Sequence, residues 1–142
     1  MQPASMQPLA RTREYVEIIR RVIAREEPLD FQGEFFQHPY HGPGSVGLGK
    51  PLKSIVHPLR RHIPIYLGAE GPKNVALAAE IGDGWLPMFF SPKADDFYRA
   101  ALAEGFARPG ARRTADDFEV ACIVPTRTGD DVEACADLLR PN

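Results

Sequence analysis

The first clear pattern of apolar and polar positions is helical and covers Arg11 to Arg25. Its apolar side chains recur at the three- and four-residue spacing of a single helix face and are Tyr15, Val16, Ile18, Ile19, Val22 and Ile23. Arginines cluster near the end of this stretch and Pro28 follows it, and both features favour termination of a helix. The pattern predicts an amphipathic helix that buries one face.

A strand, a helix and a second strand are predicted in the middle of the chain. The run from Ile63 to Leu67 has almost no polar break, which is typical of a parallel strand covered on both faces. A helix capped by Gly71 would begin at Pro72, where a missing N–H group costs nothing, and would end at Gly82. Its predicted buried stripe is Val75, Ala78, Ala79 and Ile81. After a tight turn, residues 85–87 form the second strand and complete a βαβ unit.

The rest of the chain continues this alternation. A helix capped by Ser91 or Asp95 is expected to run to about Phe106. The face of this helix predicted to be buried holds Phe97, Ala101, Leu102 and Phe106. The near-continuously apolar stretch 118–126 predicts a third strand, and 130–139 predicts a helix with an acidic first turn. Strands that alternate with helices indicate an α/β fold with a parallel sheet.

Outside these elements the pattern is irregular. Residues 1–10 contain two Met-Gln-Pro repeats and are predicted to form a disordered lead-in. Residues 29–39 carry aromatic side chains on both sides of a Gln-Gly pair and suit a small hairpin, and 40–62 form a long loop rich in glycine and proline. The sequence therefore predicts a single domain that covers residues 1–142. In it, an insertion at residues 29–62 precedes the βα units at residues 63–142.

Composition narrows the class of protein. The chain has 142 residues, 44% of them hydrophobic, and a formal charge of −2 at pH 7. No apolar run is long enough for a membrane span or a secretory signal, so we expect a cytoplasmic protein with no membrane partner. Basic residues are scattered among acidic ones, which argues against a nucleic-acid partner.

The cysteines and histidines do not define a site. Cys122 and Cys135 are too few and too far apart for a disulfide framework or a zinc site, and we expect buried, reduced thiols. His38 and His41 are three residues apart but have no nearby Asp, Glu or Cys, so no metal site is predicted. An open alternative is that one of the four histidines donates a proton to a substrate, because imidazole titrates near neutral pH.

The turn between the first central strand and its helix is the main candidate for chemistry. Backbone amides near Glu70, Gly71, Lys73 and Asn74 would be unpaired donors at the positive end of the helix dipole, which is the physical basis of many phosphate sites. The spacing of glycines is neither a GxGxxG fingerprint nor a Walker loop. On spacing alone, an ordinary strand-to-helix loop is the more common explanation.

The chain resembles the luciferase-like monooxygenase superfamily, and within it the oxidoreductases that use the deazaflavin coenzyme F420 in place of a flavin. The similar residues run from about Arg11 to the C-terminal end. The most specific block is IPIYLGAEGPKNVALAAEIGDGWLPMFFSP, and the helix RTREYVEIIRRVIAREEPL, the loop GPG with GLGKPLKSI, and GDDVEA are similar as well.

This resemblance implies a (β/α)8 TIM barrel with its cofactor loops at the C-terminal ends of the strands. It implies that the loop 69–72 holds the phosphate of the cofactor side chain through main-chain amides, and that 87–89 lies near the ring system. The implied cofactor-binding residues are Gly68, Ala69, Glu70, Gly71, Pro72, Lys73, Pro87, Met88 and Phe89.

The resemblance also places the long loop 40–62 in an insertion over the cofactor mouth. The basic side chains that would then screen an anionic coenzyme tail are Lys50, Lys53, Arg60 and Arg61. The alternative is a solvated loop with scattered charges.

The implied reaction is hydride transfer between a small organic substrate and the deazaflavin. An FMN-dependent monooxygenase is the alternative enzyme.

The chain offers about three barrel strands, whereas a barrel has eight strands and about 250 residues. We therefore expect a partial barrel, that is, a fragment that is weak or inactive alone. A catalytically silent remnant or interaction module is the alternative of another class, since open strand edges invite pairing, and a homo-oligomer is left open. The sequence does not identify a catalytic acid or base.

Overall fold

The structure is a computed structural model that describes residues 7–88 and 90–140. Its helices are α1 (Pro8–Ala24), α2 (Pro72–Ile81), α3 (Asp95–Phe106) and α4 (Val132–Asp137), with a 3₁₀ helix at Pro92–Ala94. Its strands are β1 (Phe31–Gln32), β2 (Gln37–His38), β3 (Tyr66–Gly68), β4 (Gly84–Leu86) and β5 (Glu119–Val120). None of the described helices is long and apolar enough to cross a membrane.

The central element is a parallel sheet in the order β3, β4, β5. Tyr66 lies opposite Gly84, which in turn lies opposite Glu119. A Cβ atom on Gly84 would lie 2.3 Å from the Tyr66 ring, so the glycine leaves room for the Tyr66 hydroxyl to hydrogen-bond with Glu119 two strands away. With α2 and α3 as the connections, the predicted βαβαβ alternation is confirmed.

Helix α2 lies at the centre of the core. Every residue from Val75 to Ile81 is buried, so the helix has no solvated face beyond its first turn. One side packs with Trp85, Tyr98 and Ala101, and the other side packs with Val16 of α1. A Cβ atom on Gly105 would lie 2.2 Å from the Ala76 carbonyl oxygen, which shows how closely α3 approaches α2.

At the C-terminal end of α2, the buried carboxylate of Glu80 binds two arginines. Arg13 donates two hydrogen bonds to it, at 2.7 and 2.8 Å, and Arg108 donates one at 2.9 Å. The bonds from Arg13 and then Arg108 hold the pKa of Glu80 below its ordinary value, although burial acts to raise it. Through Glu80, both α1 and the end of α3 are joined to α2.

Asp83, which is 3% exposed, joins three further segments at the same edge of the sheet. Its carboxylate accepts hydrogen bonds from the Ile65 amide at 2.9 Å, from Arg20 at 3.1 Å and from Arg113 at 3.1 Å, and His62 lies 3.4 Å away. Burial acts to raise the pKa of Asp83, but the bonds from Ile65, Arg20 and Arg113 outweigh it, so the pKa lies below its ordinary value. The Asp83 carboxylate at this amino edge of the sheet is therefore satisfied by protein donors, whereas Nε of Arg20 is buried without a partner among the described residues.

The small hairpin predicted within 29–39 is confirmed as β1 and β2, with Phe31 paired to His38. The Glu14 carboxylate of α1 accepts hydrogen bonds from the amides of Glu34, Phe35 and Phe36 at 2.8 to 3.0 Å. These bonds fix the hairpin turn to the first helix. Within the long loop, an isolated bridge joins Leu29 to Leu52.

Several predicted boundaries were wrong. Helix α1 begins at Pro8, inside the predicted lead-in 1–10, because proline suits a first helical turn, and residues 1–6 lie outside the described residues. Strand β3 begins three residues later than predicted, since the Ile65 amide bonds to Asp83 instead of joining the ladder. Strand β5 covers 119–120 only, and α4 is shorter than the predicted helix 130–139.

The burial of four side chains was also predicted wrongly. Tyr15, on the predicted apolar face of α1, is 55% exposed. Phe97 is 49% exposed, and its neighbour Tyr98 points into the core. Cys122 is exposed and Cys135 is half-buried, although both thiols are free as expected. Cys122 was assigned to a long third strand, and it lies beyond the end of the shorter observed strand.

Candidate functional site

Two loops lie side by side at the carboxyl edge of the sheet. The first joins β3 to α2 and holds residues 69–71, which we call the α2 loop; the second follows β4 and holds residues 87–90, which we call the β4 loop. Because β3 and β4 are parallel neighbours, with Gly68 opposite Leu86, both loops leave the sheet at the same edge. The structure thus brings together the two segments singled out from the sequence, except for Phe89, which lies outside the described residues.

Two hydrogen bonds join these loops. The indole N–H of Trp85 donates to the Ala69 carbonyl oxygen at 2.7 Å, in a buried position. The backbone amide of Met88 donates to Oε1 of Glu70 at 2.6 Å, in an exposed position. Ala69 and Pro87 are buried, so the base of the pair of loops is packed while its upper surface faces solvent.

The N-terminal end of α2 offers free donors. Gly71 is its cap residue, and no side chain among the described residues accepts a hydrogen bond from the first turn. Within the same part of the chain, the amides of Gly71 and Lys73 have no hydrogen-bond partner, and both residues are exposed. The Asn74 amide was predicted to be unpaired, but it donates to the Gly71 carbonyl oxygen at 2.9 Å. The available donors are therefore fewer than expected.

Space and charge at this helix end suit an anion. A Cβ atom added to Gly71 would meet no heavy atom within 4 Å, so a ligand can approach the backbone. Pro72 has no N–H group, and it begins the helix with its φ angle already suited to it. Lys73 adds a cationic side chain on the exposed first turn, next to the positive end of the helix dipole.

An apolar surface lies beside the donors. Leu86 is 41% exposed and Met88 is 60% exposed, at and just beyond the end of β4. Phe90 is 36% exposed, and its ring centroid lies 6.0 Å from that of Tyr98. The carboxyl edge thus combines amides that can bind a phosphoryl group with a surface that can contact a flat, mostly apolar ring.

The basic residues of the long loop do not share one position. Lys53 lies against the end of α1, beside Arg25 and Leu29, and Arg61 lies beside Arg20. For Lys53 and Arg61, the predicted screening of the cofactor mouth is wrong. Arg61 lies before the amino end of β3, whereas the α2 loop follows the carboxyl end of that strand.

Two of the histidines are also remote from the candidate site. His62 lies beside Asp83 at the amino edge, and Nδ1 of His57 lies 2.8 Å from Arg25 of α1. Among residues 7–88 and 90–140, no group of three or more His, Cys, Asp or Glu side chains is placed to hold a metal ion.

Sequence reasoning missed the aromatic support of the two loops. Tyr98 packs on Trp85 with ring centroids 4.8 Å apart, and its hydroxyl oxygen lies 3.5 Å from Glu70. The spacing of Tyr98, Ala101 and Gly105 is that of one helix face, and it would have identified Tyr98 if Gly105 had been taken as a packing position. The contact between Glu70 and Met88 has no such local signal, because the two residues are 18 positions apart.

A parallel α/β sheet with an open, amide-bearing helix end at its carboxyl edge is typical of enzymes that bind a phosphorylated cofactor. The family model described as luciferase-like monooxygenase matches residues 4–141, and the chain belongs to this family.

Two curated relatives carry names that specify a coenzyme or a reaction. The Mycobacterium tuberculosis protein named "Putative coenzyme F420-dependent oxidoreductase Rv3520c" is 56% identical over 134 residues, which are 94% of this chain and 39% of that protein. The 5,10-methylenetetrahydromethanopterin reductase of Archaeoglobus fulgidus is 38% identical over 110 residues, which are 78% of this chain and 29% of that protein. The chain thus spans about two-fifths or less of the length of these relatives.

A solved structure confirms the fold. The coenzyme F420 dependent tetrahydromethanopterin reductase from Methanopyrus kandleri matches with a TM-score of 0.65 and 25% identity. The match covers 81% of this chain and 29% of that chain. The three-stranded parallel sheet with its helices therefore corresponds to part of a TIM barrel, as predicted.

Proposed function

We propose that this chain carries the coenzyme-phosphate portion of an F420-dependent oxidoreductase site. The observation that supports this most directly is the exposed, uncapped N-terminus of α2 beside the exposed apolar end of β4. A free helix N-terminus favours a phosphoryl group through both its amides and its dipole. The two curated relatives are named for F420 or for a reductase reaction, and this favours a deazaflavin over a flavin.

The residues of the α2 loop would hold the phosphoryl group. The amides of Gly71 and Lys73 would donate to it, while the Lys73 ammonium group would balance its charge. Gly68 and Gly71 give the backbone its close approach, and Pro72 sets the direction of the first helical turn. These roles use the donors that the described residues leave without partners.

The β4 loop would contact the ring system. Pro87 is fully buried and fixes the loop on the core, which leaves the exposed side chain of Met88 to face the ring. The same role is predicted for Phe89. Bound F420 supplies two-electron hydride transfer to or from an organic substrate. The residues of this chain would orient the coenzyme at its phosphate and at its ring.

We expect the binding to be weak in the chain by itself. One or two charge-assisted hydrogen bonds contribute roughly 1.5 to 3 kcal/mol each, and the helix dipole adds up to about 1 kcal/mol. A micromolar dissociation constant needs about 8 kcal/mol after the cost of association. The α2 loop alone therefore gives a dissociation constant well above micromolar, and little or no turnover.

An NMR titration of the purified chain with F420 tests this proposal. We expect the Gly71 and Lys73 amide signals to shift at millimolar coenzyme, whereas amides at the amino edge, such as that of Ile65, stay in place. A titration in which no amide of the α2 loop moves would disprove the site. Isothermal titration that gives a low-micromolar dissociation constant would disprove the predicted weakness.

An FMN-dependent monooxygenase is the alternative enzyme, and the α2 loop does not separate the two cofactors because both carry a phosphate. A parallel titration with FMN separates them. Tighter binding of FMN than of F420 at equal ionic strength would favour the monooxygenase, and the reverse order supports the deazaflavin.

A specific observation favours a second candidate, an interaction module. Beyond the short strand β5, Ile123 is 72% exposed and Val124 is 74% exposed, and α4 has no buried residue. Exposed β-branched residues next to an open strand edge invite pairing with another chain. Sizing of the coenzyme-free chain over a range of concentrations checks this, since a discrete stable oligomer would favour it.

A small organic substrate, the lack of a nucleic-acid partner and a cytoplasmic location stay predictions from the sequence.

A further inference from the structure

The Glu70 side chain spans the gap between the two loops of the candidate site. Its residue lies directly before the cap of α2, yet its carboxylate does not cap that helix. Oε1 instead accepts the Met88 amide at 2.6 Å, and Oε2 lies 3.5 Å from the Tyr98 hydroxyl, too far for a strong bond. The carboxylate is thereby engaged with the β4 loop.

The Met88 amide is the first backbone donor beyond the ladder of β4. Strand β4 ends at Leu86, and Pro87 lacks an N–H group, so Met88 carries the first free backbone donor after the strand. A carboxylate that accepts a backbone amide forms a charge-assisted bond, which is about twice as strong as a neutral one. Glu70 therefore holds the backbone of the exposed residue Met88.

The base beneath this bond is buried and packed. Trp85 is 1% exposed, and its indole bond to the Ala69 carbonyl oxygen fixes the residue directly before Glu70. The Tyr98 ring packs on the Trp85 ring from α3. The backbone of residue 69 is thus held from below, and the Glu70 carboxylate joins the α2 loop to Met88 above it.

We propose that Glu70 is a positioning residue, whose carboxylate keeps the backbone of Met88 at a fixed spacing from the phosphate-binding amides of Gly71 and Lys73. This inference rests on the proposed function and extends it from the backbone of residue 70 to its side chain. A coenzyme that contacts both loops would find them already arranged, which reduces the ordering cost of binding.

The first test needs no coenzyme. The hydrogen-exchange rate of the Met88 amide is compared in the unaltered chain and in two variants. Glu70→Ala removes the acceptor, and Glu70→Gln keeps an oxygen acceptor without the charge. Loss of one charge-assisted bond predicts about tenfold faster exchange in Glu70→Ala, with Glu70→Gln in between. The exchange rates of the buried amides from Val75 to Ile81 show whether the fold is intact. Glu27→Ala, which removes an exposed carboxylate elsewhere, is the matched control. Equal Met88 exchange in the full chain and Glu70→Ala would overturn the proposal.

The second test measures F420 affinity by NMR titration of the same variants. We expect Glu70→Ala to bind F420 about tenfold more weakly than the unaltered chain, and Glu70→Gln to recover most of the affinity. If both variants bind F420 as tightly as the unaltered chain, the carboxylate has no positioning role, and if both bind it more tightly, the carboxylate only repels the anion; either result overturns the proposal. If the unaltered chain shows no α2-loop shifts at all, the proposed function fails, and the Met88 exchange rates still decide whether Glu70 positions the β4 loop.

Discussion

The two ends of α2 differ in whether their polar groups have hydrogen-bond partners within the protein. At the C-terminal end, the carboxylates of Glu80 and Asp83 lie at the negative end of the helix dipole, where a negative charge is unfavourable. Four arginines and a backbone amide satisfy them from α1, from the end of α3 and from the segments before β3 and β5. At the N-terminal end, amides that favour a negative charge have no partner among the described residues.

This difference separates stability from binding. The amino edge buries its charges in a network that connects four segments, so its residues hold the fold together. The carboxyl edge leaves donors exposed at the helix terminus, where water or an anionic ligand can accept hydrogen bonds from them. The same division between faces is a general property of TIM barrels, whose sites lie at the carboxyl ends of the strands.

The largest effect is expected from Asp83→Ala at the amino edge. Loss of this carboxylate leaves the partly buried Arg20 without its partner and frees the Ile65 amide, so we expect a loss of about 3–5 kcal/mol in the free energy of unfolding. Urea denaturation measures it. The control is Glu27→Ala, whose ion pair with Arg21 is exposed and should cost no more than about 0.5 kcal/mol. Equal losses in the two variants would contradict the division between the edges.

A pair of glycine substitutions sharpens the comparison. Gly105→Ala forces a methyl group against the Ala76 carbonyl and should destabilise the chain by about 1–3 kcal/mol. Gly71→Ala meets open space with an ordinary φ of −77°, so the loss of stability should stay below about 1 kcal/mol. In the F420 titration, however, only Gly71→Ala should weaken binding. A large loss of stability in Gly71→Ala would show that the carboxyl edge, too, is structural, and unchanged F420 binding in that variant would contradict the proposed site.

Stability should fall in acid because of the amino edge. The folded chain holds the pKa values of Glu80 and Asp83 below their ordinary values of 4.5 and 3.8. A lowered pKa stabilises the folded state fully above the ordinary value, and that stabilisation is lost as pH falls through the folded-state pKa. Below about pH 4.5 we expect the melting temperature to fall. The fall should be smaller than the one caused by Asp83→Ala, since protonation leaves the side chains in place. In Glu80→Gln the drop should be shallower; an unchanged slope would exclude Glu80 as a source.

The smallest effect is expected from Lys73→Ala at the carboxyl edge. Removal of an exposed ammonium group should weaken F420 binding about threefold at low salt and leave the unfolding free energy unchanged. Lys53→Ala is the matched control, because Lys53 lies against α1 and should not affect the titration. If both lysines weaken F420 binding equally, the effect comes from net charge and not from the site. Repetition at high salt should reduce the difference.

Much of the fold was predictable because its signals are local. Pro72 and Gly71 mark the start of α2, and the apolar stripe of that helix follows from its spacing. The same local rules failed for the third strand, whose apolar run 118–126 gave only the two residues of β5. In the described residues β5 pairs with β4 alone, and a strand without a second neighbour gains little from extending.

The candidate site was predictable only in part for the same reason. The backbone of the α2 loop follows from a strand, a glycine and a proline in succession, so its amides could be predicted. The Asn74 amide was misassigned because its bond to Gly71 depends on the exact geometry of the first turn. The contacts of Glu70 with Met88 and of Trp85 with Ala69 join segments 16 or more positions apart, and no period in the sequence reports them.

By itself, the sequence determined the order of strands and helices, the βαβ units and the phosphate-compatible helix start, since these follow from residue spacing and from the backbone preferences of glycine and proline. Tertiary structure decided which polar groups are satisfied. Four arginines distant in the chain reach Glu80 and Asp83, whereas no described side chain reaches the first amides of α2. The physical reason is that a hydrogen bond between distant segments depends on how the elements pack, and packing is a property of the whole fold.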